Sequence, residues 1–165
     1  MQFSLATPED SKKILSNVTA VKMNLTTGVV EILEKHQDLL GKVSLDLIEV
    51  ESNQDNKSEK FKFLAQDALV IVSNKGLNSE LTSETGVYIF AKRVLEINSS
   101  ISLDECSKKV EQKAAKLEVE KQSLVERDEK NLGSNLEKIK TKIFVLEDEL
   151  KFEKKVLSIL KESKS

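Results

Sequence analysis

The sequence has few of the residues that build reactive sites or covalent cross-links. Its 165 residues include one cysteine, one histidine, one proline and no tryptophan. The lone Cys106 excludes a disulfide framework within the chain and is typical of a reducing compartment. The five glycines stand apart from one another, which excludes a glycine-rich phosphate-binding loop.

Long apolar runs are also missing. No continuous run exceeds five residues, as in 68–72, whereas a helix that spans a membrane needs about 20. The N-terminus lacks the charged-then-apolar pattern of a cleaved signal peptide. We therefore expect a cytoplasmic protein that reaches a membrane only indirectly, through other proteins.

Charge is abundant but balanced. Charged residues make up 33% of the chain and the formal net charge is −2, which disfavours binding to nucleic acid. High charge with few aromatic residues is typical of long, solvated helices that enclose little interior.

Before residue 100, apolar residues follow the period of β-strands. Phe3 and Leu5 alternate with polar residues, and Val43, Leu45 and Leu47 alternate in the same way, which places them on one buried face. The run 68–72 predicts a strand buried on both faces, and the polar stretch 52–60 predicts a loop. Many short strands favour an all-β sandwich or flattened barrel over residues 1–98.

After residue 100 the apolar period changes to seven. Two helices, at about 103–130 and 135–162, are predicted by capping signals at Ser102 and Ser134 and by Gly133 between them. Since the link is short, they form an antiparallel hairpin over residues 99–165, which gives a two-part α+β fold. Its narrow apolar seam consists of Leu103, Val110, Leu117, Leu124, Leu136, Ile139, Ile143, Leu146, Leu150 and Leu157.

Candidate catalytic residues are nearly absent. Cys106 falls on the apolar stripe of the first helix, where a small buried side chain is the simplest interpretation. His36 lies in a polar loop, where it is a structural residue or an interface contact. No spaced set of His, Cys and carboxylates predicts a metal site. We therefore expect no enzyme, no cofactor and no metal, and an assembly subunit instead.

Two segments resemble the epsilon subunit of F1-type rotary ATP synthases, whose layout is also a β-sandwich followed by a helical hairpin. The opening 3–9 (FSLATPE) resembles the family's first strand and Thr-Pro-Glu turn. Residues 28–40 resemble its most recognisable stretch, although both prolines and the glycine before the histidine are replaced. Gly28, Ile32, Leu33, His36, Leu39 and Leu40 carry the match.

The resemblance implies a non-catalytic subunit of the central stalk. It would bind the gamma subunit, lie near the c-ring and the alpha and beta subunits at the inner face of the cell membrane, and help to couple or regulate ATP hydrolysis or synthesis. Gly28, Ile32, His36, Leu39 and Leu40 become the expected partner contacts. The departures in this segment leave open a divergent F1-like motor that drives gliding motility or transport rather than proton-coupled synthesis.

Two readings from other classes compete with the stalk role. One is an adaptor or co-chaperone that clamps clients with its hairpin, against which the polar stretch 130–134 counts. The other is a coiled-coil protein associated with nucleic acid, against which the charge counts.

Some epsilon subunits bind ATP through a Leu-Asp-x-x-Arg-Ala motif. Leu103 and Asp104 match its start, but Ser107 and Lys108 replace its Arg-Ala, so the charge-assisted phosphate contact is lost. We therefore expect millimolar ATP to leave the melting temperature of the protein unchanged. A clear upward shift in a thermal denaturation experiment would contradict this prediction.

Overall fold

The computed structural model describes residues 1–8, 12–54, 57–74, 85–129 and 136–163. The chain divides into two compact units, Met1–Asn98, here called the head, and Ser99–Ser165, here called the helical unit. Within the described ranges the head consists of strands and the helical unit of a helix pair, so the predicted two-part α+β fold is confirmed.

The head is built from one sheet in the order β2-β1-β7-β6-β5-β3-β4, with β8 paired to β6. Strands β1 and β7 run parallel, and the other pairs are antiparallel. The strands are β1 (Gln2–Ala6), β2 (Lys12–Leu15), β3 (Val18–Leu25), β4 (Gly28–Leu33), β5 (Leu39–Gln54), β6 (Lys57–Ser73), β7 (Gly86–Phe90) and β8 (Arg93–Glu96).

The sheet folds back on itself to enclose a core. Met1 and Val18 exchange two backbone hydrogen bonds of 3.0 Å. Met1 precedes β1 and Val18 begins β3, and in the strand order β7, β6 and β5 lie between β1 and β3. The rings of Phe3 and Phe63 stack at 5.8 Å between centroids although their strands are not paired. Both rings are buried, and burial of such large apolar side chains supplies the main stabilisation of a small β-unit.

The predicted loop at 52–60 is wrong, because its described residues continue the two longest strands. Strands β5 and β6 stay paired out to Gln54 and Lys57. Lys60 lies 2.6 Å from Glu51, and Lys62 lies 3.1 Å from Glu49. Such cross-strand pairs of opposite charge favour extended pairing in a segment that lacks apolar alternation.

The predicted burial of Val43, Leu45 and Leu47 on one face is correct only for Val43. Leu45 and Leu47 are half-buried, and the core instead receives Ile48 and Val50 further along β5. The change coincides with Asp67 in β6, whose φ of 49° is left-handed and which lies between the paired positions Val43–Ala68 and Leu45–Gln66. A left-handed residue interrupts the two-residue alternation of a strand, so both strands turn a new face to the core.

The run 68–72 is buried on one face rather than on two. Ala68, Val70 and Val72 point into the core, whereas Leu69 is 44% exposed and Ile71 is half-buried. The prediction failed because it assumed a cover on the outer side of the sheet, where the described residues of the head leave Leu69 exposed.

The helical unit contains α1 (Leu103–Glu129) and α2 (Leu136–Glu162). At the predicted N-terminal cap of α1, Ser102 Oγ accepts a hydrogen bond of 3.4 Å from the Glu105 amide. Ion pairs join Lys113 of α1 to Glu153 of α2, and Lys121, further along α1, to Glu147, earlier in α2, so the pair is antiparallel. The other predicted signals, Gly133 and Ser134, lie outside the described residues.

The last turns of α2 have a wider buried face than the heptad pattern predicted. Phe152, Val156 and Ile159 are buried, as is Leu160. Their spacing of four and three residues forms a second stripe beside the seam. The seven-residue count placed Leu160 in the same row as Ile139 and Leu146, but it missed Phe152, Val156 and Ile159.

The aromatic core of the head can be tested with matched substitutions. We expect Phe63→Ala to lower the free energy of unfolding by about 3–5 kcal/mol, because it leaves a cavity beside Phe3. Phe90→Ala, at a ring that is 47% exposed, should lower it by less than about 1 kcal/mol. Urea denaturation followed by fluorescence of the single tyrosine, Tyr88, would report on the head alone. Equal losses in the two variants would contradict this placement of the core.

Candidate functional site

The structure separates the five predicted contact residues. Gly28 is exposed at the turn between β3 and β4, with a φ of 138° that suits glycine. Ile32 is fully buried, and Leu39 is half-buried and packs against the core. His36 is half-buried in the loop between β4 and β5, and Leu40 is 73% exposed. Only part of the predicted set is therefore at the surface.

The His36 loop, residues 34–38, is fastened by its own backbone and by distant side chains. The His36 amide donates a hydrogen bond of 3.1 Å to the Leu33 carbonyl. His36 Nδ1 lies 2.7 Å from the Gln37 carbonyl. Because a carbonyl only accepts, this contact places the proton on Nδ1. Asn74 Nδ2 donates to the His36 carbonyl at 2.6 Å, which ties the loop to the end of β6.

Leu40 belongs to a broad apolar surface on the outer side of the sheet. The strand registers place Ile14, Ser4, Tyr88, Ile71 and Leu40 in one row across β2, β1, β7, β6 and β5. A second row contains Ala6, Phe90 and Leu69. We call this surface the apolar sheet face and define it by Ile14, Leu40, Leu69, Ile71, Tyr88 and Phe90.

Four members of the apolar sheet face are strongly exposed. Ile14 is 51% exposed and Leu40 is 73% exposed, and Leu69 and Phe90 exceed 40%. A recess of about 400 Å³ adjoins Phe90 and is lined by Ala6, Pro8 and Lys92. Contiguous exposed apolar side chains on a small domain mark a surface that binds another molecule. Sequence reasoning missed this surface, although the runs 68–72 and 87–91 carried its signal, because apolar residues on both sides of a strand require a cover.

In the helical unit, the ten predicted seam residues all avoid full exposure. Leu117, Ile139 and Leu150 are buried, and the other seven are half-buried. The other seven are Leu103, Val110, Leu124, Leu136, Ile143, Leu146 and Leu157. This is the burial expected when each helix offers a narrow stripe to a single neighbour.

A groove of about 610 Å³ runs between α1 and α2 beside the seam. Ala115 and Val119 line it from α1, and Thr141, Val145 and Leu146 line it from α2. Val119 is 62% exposed and the nearby Phe144 is 66% exposed. The helical unit therefore also carries exposed apolar surface.

A polar cluster lies within the apolar seam. Glu153, which interrupts the heptad of α2, pairs with Lys113 at 3.3 Å, and Lys113 also pairs with Glu149 at 3.0 Å. These side chains are only 19–32% exposed. Closer to the end of α1 and the start of α2, Lys121 lies 2.8 Å from Glu147, and this hydrogen bond raises the pKa of Lys121. The charges hold the two helices in one register.

The described residues do not support a reactive thiol, a metal site or a membrane-spanning helix. Burial raises the pKa of the Cys106 thiol, which keeps it protonated and unreactive at neutral pH. Across the described ranges, no three His, Cys, Asp or Glu side chains converge in a way that could hold a metal ion. In the part of the helical unit that is described, neither helix carries an apolar stretch able to cross a bilayer.

No protein-family model and no curated protein sequence matches this chain. In the solved structure of mitochondrial ATP synthase from Euglena gracilis, with its OSCP, F1 and c-ring parts, one chain has a similar fold at a TM-score of 0.50 and 18% identity. The match covers 70% of this chain and 64% of the Euglena chain, which is less than two thirds of it. A chain of the Tetrahymena thermophila mitochondrial ATP synthase central stalk and c-ring matches with a TM-score of 0.44 and 14% identity, over 62% of this chain and 77% of that one. At this identity, the likeness to the Euglena chain shows a shared fold.

The polar cluster yields a test of the seam. We expect Lys113→Met to lower the free energy of unfolding of the helical unit by about 1 kcal/mol, since it leaves the half-buried Glu153 without its partner. Lys121→Met is the matched control and should cost less despite its shorter contact, because water screens an exposed pair. Thermal melts monitored by circular dichroism at 222 nm would compare them. A larger loss for Lys121→Met would contradict the assignment of Lys113 to the seam.

Proposed function

We propose that the chain is a non-catalytic, epsilon-like subunit of the central stalk of a rotary F1-type ATPase. In this role it binds the gamma subunit and helps to couple or regulate ATP hydrolysis or synthesis. It lies at the inner face of the cell membrane as part of the complex, near the c-ring and the alpha and beta subunits. The proposal unites the fold, the resemblance of residues 3–9 and 28–40, and the uncovered surfaces.

The observation that carries the proposal is the apolar sheet face. An isolated head would expose Leu40, Leu69 and Phe90 to water at a cost in solubility. A large partner surface that covers two rows of side chains removes that cost. Leu40 belongs both to the apolar sheet face and to the segment that resembles the family's contact region, so sequence and structure support the same surface from independent directions.

The helical unit supplies a second contact suited to regulation. The groove beside Val119 and Val145 accepts one further helix, such as one from a gamma coiled coil. A hairpin that exposes such a groove exchanges partners at low cost, because its own seam stays intact while the groove is filled or emptied. Partner exchange of this kind is how we propose that the hairpin modulates ATP hydrolysis.

The task of the motor is a separate question from the role of this subunit. An ATP synthase places the head near a c-ring and couples rotation to proton transport. An F1-like motor for gliding motility or transport would use the same stalk surface without a c-ring. The two cases differ in the proteins that accompany the ATPase subunits, and the experiment below distinguishes them.

Affinity purification of the tagged chain from the cells that produce it tests the proposal. We expect mass spectrometry to identify a gamma-like coiled coil together with P-loop ATPase subunits. The variant with both Leu40→Asp and Phe90→Asp should recover these proteins at least about tenfold less well, because two carboxylates cannot be buried in an apolar interface without a large penalty. A co-purifying c-ring would indicate a synthase, and its absence an F1-like motor.

Val125→Asp is the matched control. Val125 is 59% exposed and belongs to α1 rather than to a strand of the head. The change adds one carboxylate at an exposed apolar position, as each of the two single changes does, and should leave recovery unchanged. Recovery of unrelated client proteins instead of ATPase subunits would overturn the stalk role and favour the adaptor or co-chaperone. Equal recovery of the ATPase subunits by the original chain, the double variant and Val125→Asp would overturn the apolar sheet face as the contact.

A further inference from the structure

A hydrogen-bonded side-chain cluster joins the His36 loop to the two chain segments that follow β6 and precede β7. Thr85 lies at its centre and is only 1% exposed. Asn74 follows the last residue of β6, and Thr85 precedes the first residue of β7. Asp38 and Lys35 belong to the loop. Residues more than 30 positions apart in the sequence therefore meet at one point.

The cluster satisfies the loop backbone and its own side chains together. The Lys35 amide donates to Thr85 Oγ1 at 2.8 Å, and Thr85 Oγ1 donates to Asn74 Oδ1 at 2.7 Å. Asn74 Nδ2 then donates to the His36 carbonyl at 2.6 Å. The backbone amide of Asn74 donates to Asp38 Oδ1 at 3.0 Å. A chain of hydrogen bonds thus runs from one side of His36 to the other.

The loop needs such support because its own sequence does not fix its shape. Residues 34–38 include neither proline nor glycine. Lys35 has a φ of 64°, a left-handed conformation that is unfavourable for a lysine and that persists only when its surroundings enforce it. The buried Thr85 hydroxyl accepts from the amide of this very residue, so the strained position and the anchor coincide.

We infer that Asn74, Thr85 and Asp38 are positioning residues, which lock the His36 loop in the conformation that meets the partner of the head. The identity of the partner rests on the proposed function. The lock itself is a property of the head and is measurable without any partner. The three residues hold the contact loop in its shape before binding, which lowers the conformational entropy lost on association.

Residue-resolved amide hydrogen exchange by NMR on the full chain tests the lock. Thr85→Val keeps the volume of the buried side chain but removes its hydroxyl. We expect it to speed exchange of the Lys35 amide at least about tenfold, as the loss of one hydrogen bond implies. Thr85→Ser retains the hydroxyl and should keep the original rate. The amide of Val70 in β6 is the internal control and should not change.

Two exchange results would overturn the lock. One is an unchanged Lys35 rate in Thr85→Val. The other is equally faster exchange at Val70, which would mean that Thr85 supports the whole head rather than the loop. Asp38→Ala provides a second variant at an exposed residue, and it should speed exchange of the Asn74 amide without affecting the core.

Affinity purification with the same variants tests the contact role. Thr85→Val should recover the ATPase subunits about tenfold less well than the original chain. Thr85→Ser should recover them as well as the original chain does. Normal recovery despite a mobile loop would overturn the positioning role. If the original chain recovered no ATPase subunits, the proposed function and the contact role would fall together, while the exchange rates would still decide whether the lock exists.

Discussion

Strand β6 changes the face that it turns toward the core at Asp67, and much of the head depends on this one backbone position. Before it, Phe63 and Ala65 point inward, and after it Ala68, Val70 and Val72 do so. The paired strand β5 changes face at the same level. A left-handed residue thereby lets one continuous hairpin contribute to both halves of a folded sheet. The same switch sets Leu69 and Ile71 outward, so the construction of the core and the exposure of the apolar sheet face have a common origin.

Sequence patterns predicted the helical unit better than the head. A period of seven residues sustained over both helices has few structural alternatives, and the observed helices, Leu103–Glu129 and Leu136–Glu162, follow it. Strand alternation is a weaker signal, because one left-handed residue reverses it. No sequence pattern around Asp67 indicates its left-handed conformation, so the prediction that Leu45 and Leu47 are buried was wrong. The polar stretch 52–60 resembled a loop because cross-strand ion pairs become visible only when the register is known.

The candidate site was harder to predict than the fold. Resemblance led to the segment 28–40, but a linear segment cannot separate Ile32, which points inward, from Leu40, which points outward. The apolar sheet face brings together residues from β2, β5, β6 and β7, so no local pattern contains it. Thr85 is also inconspicuous in the sequence, since its role depends on a backbone amide 50 positions away. Surfaces assembled by topology need the strand order before they can be recognised.

The lock around His36 also limits how this surface can change. The loop and the residues that hold it are encoded in separate segments, so an insertion or replacement within 34–38 alters the groups that Asn74 and Thr85 must bind. The loop cannot drift on its own, and transplanting it to another head would require moving the ends of β6 and β7 as well. A change of shape in the loop therefore requires a matching change at its distant anchors.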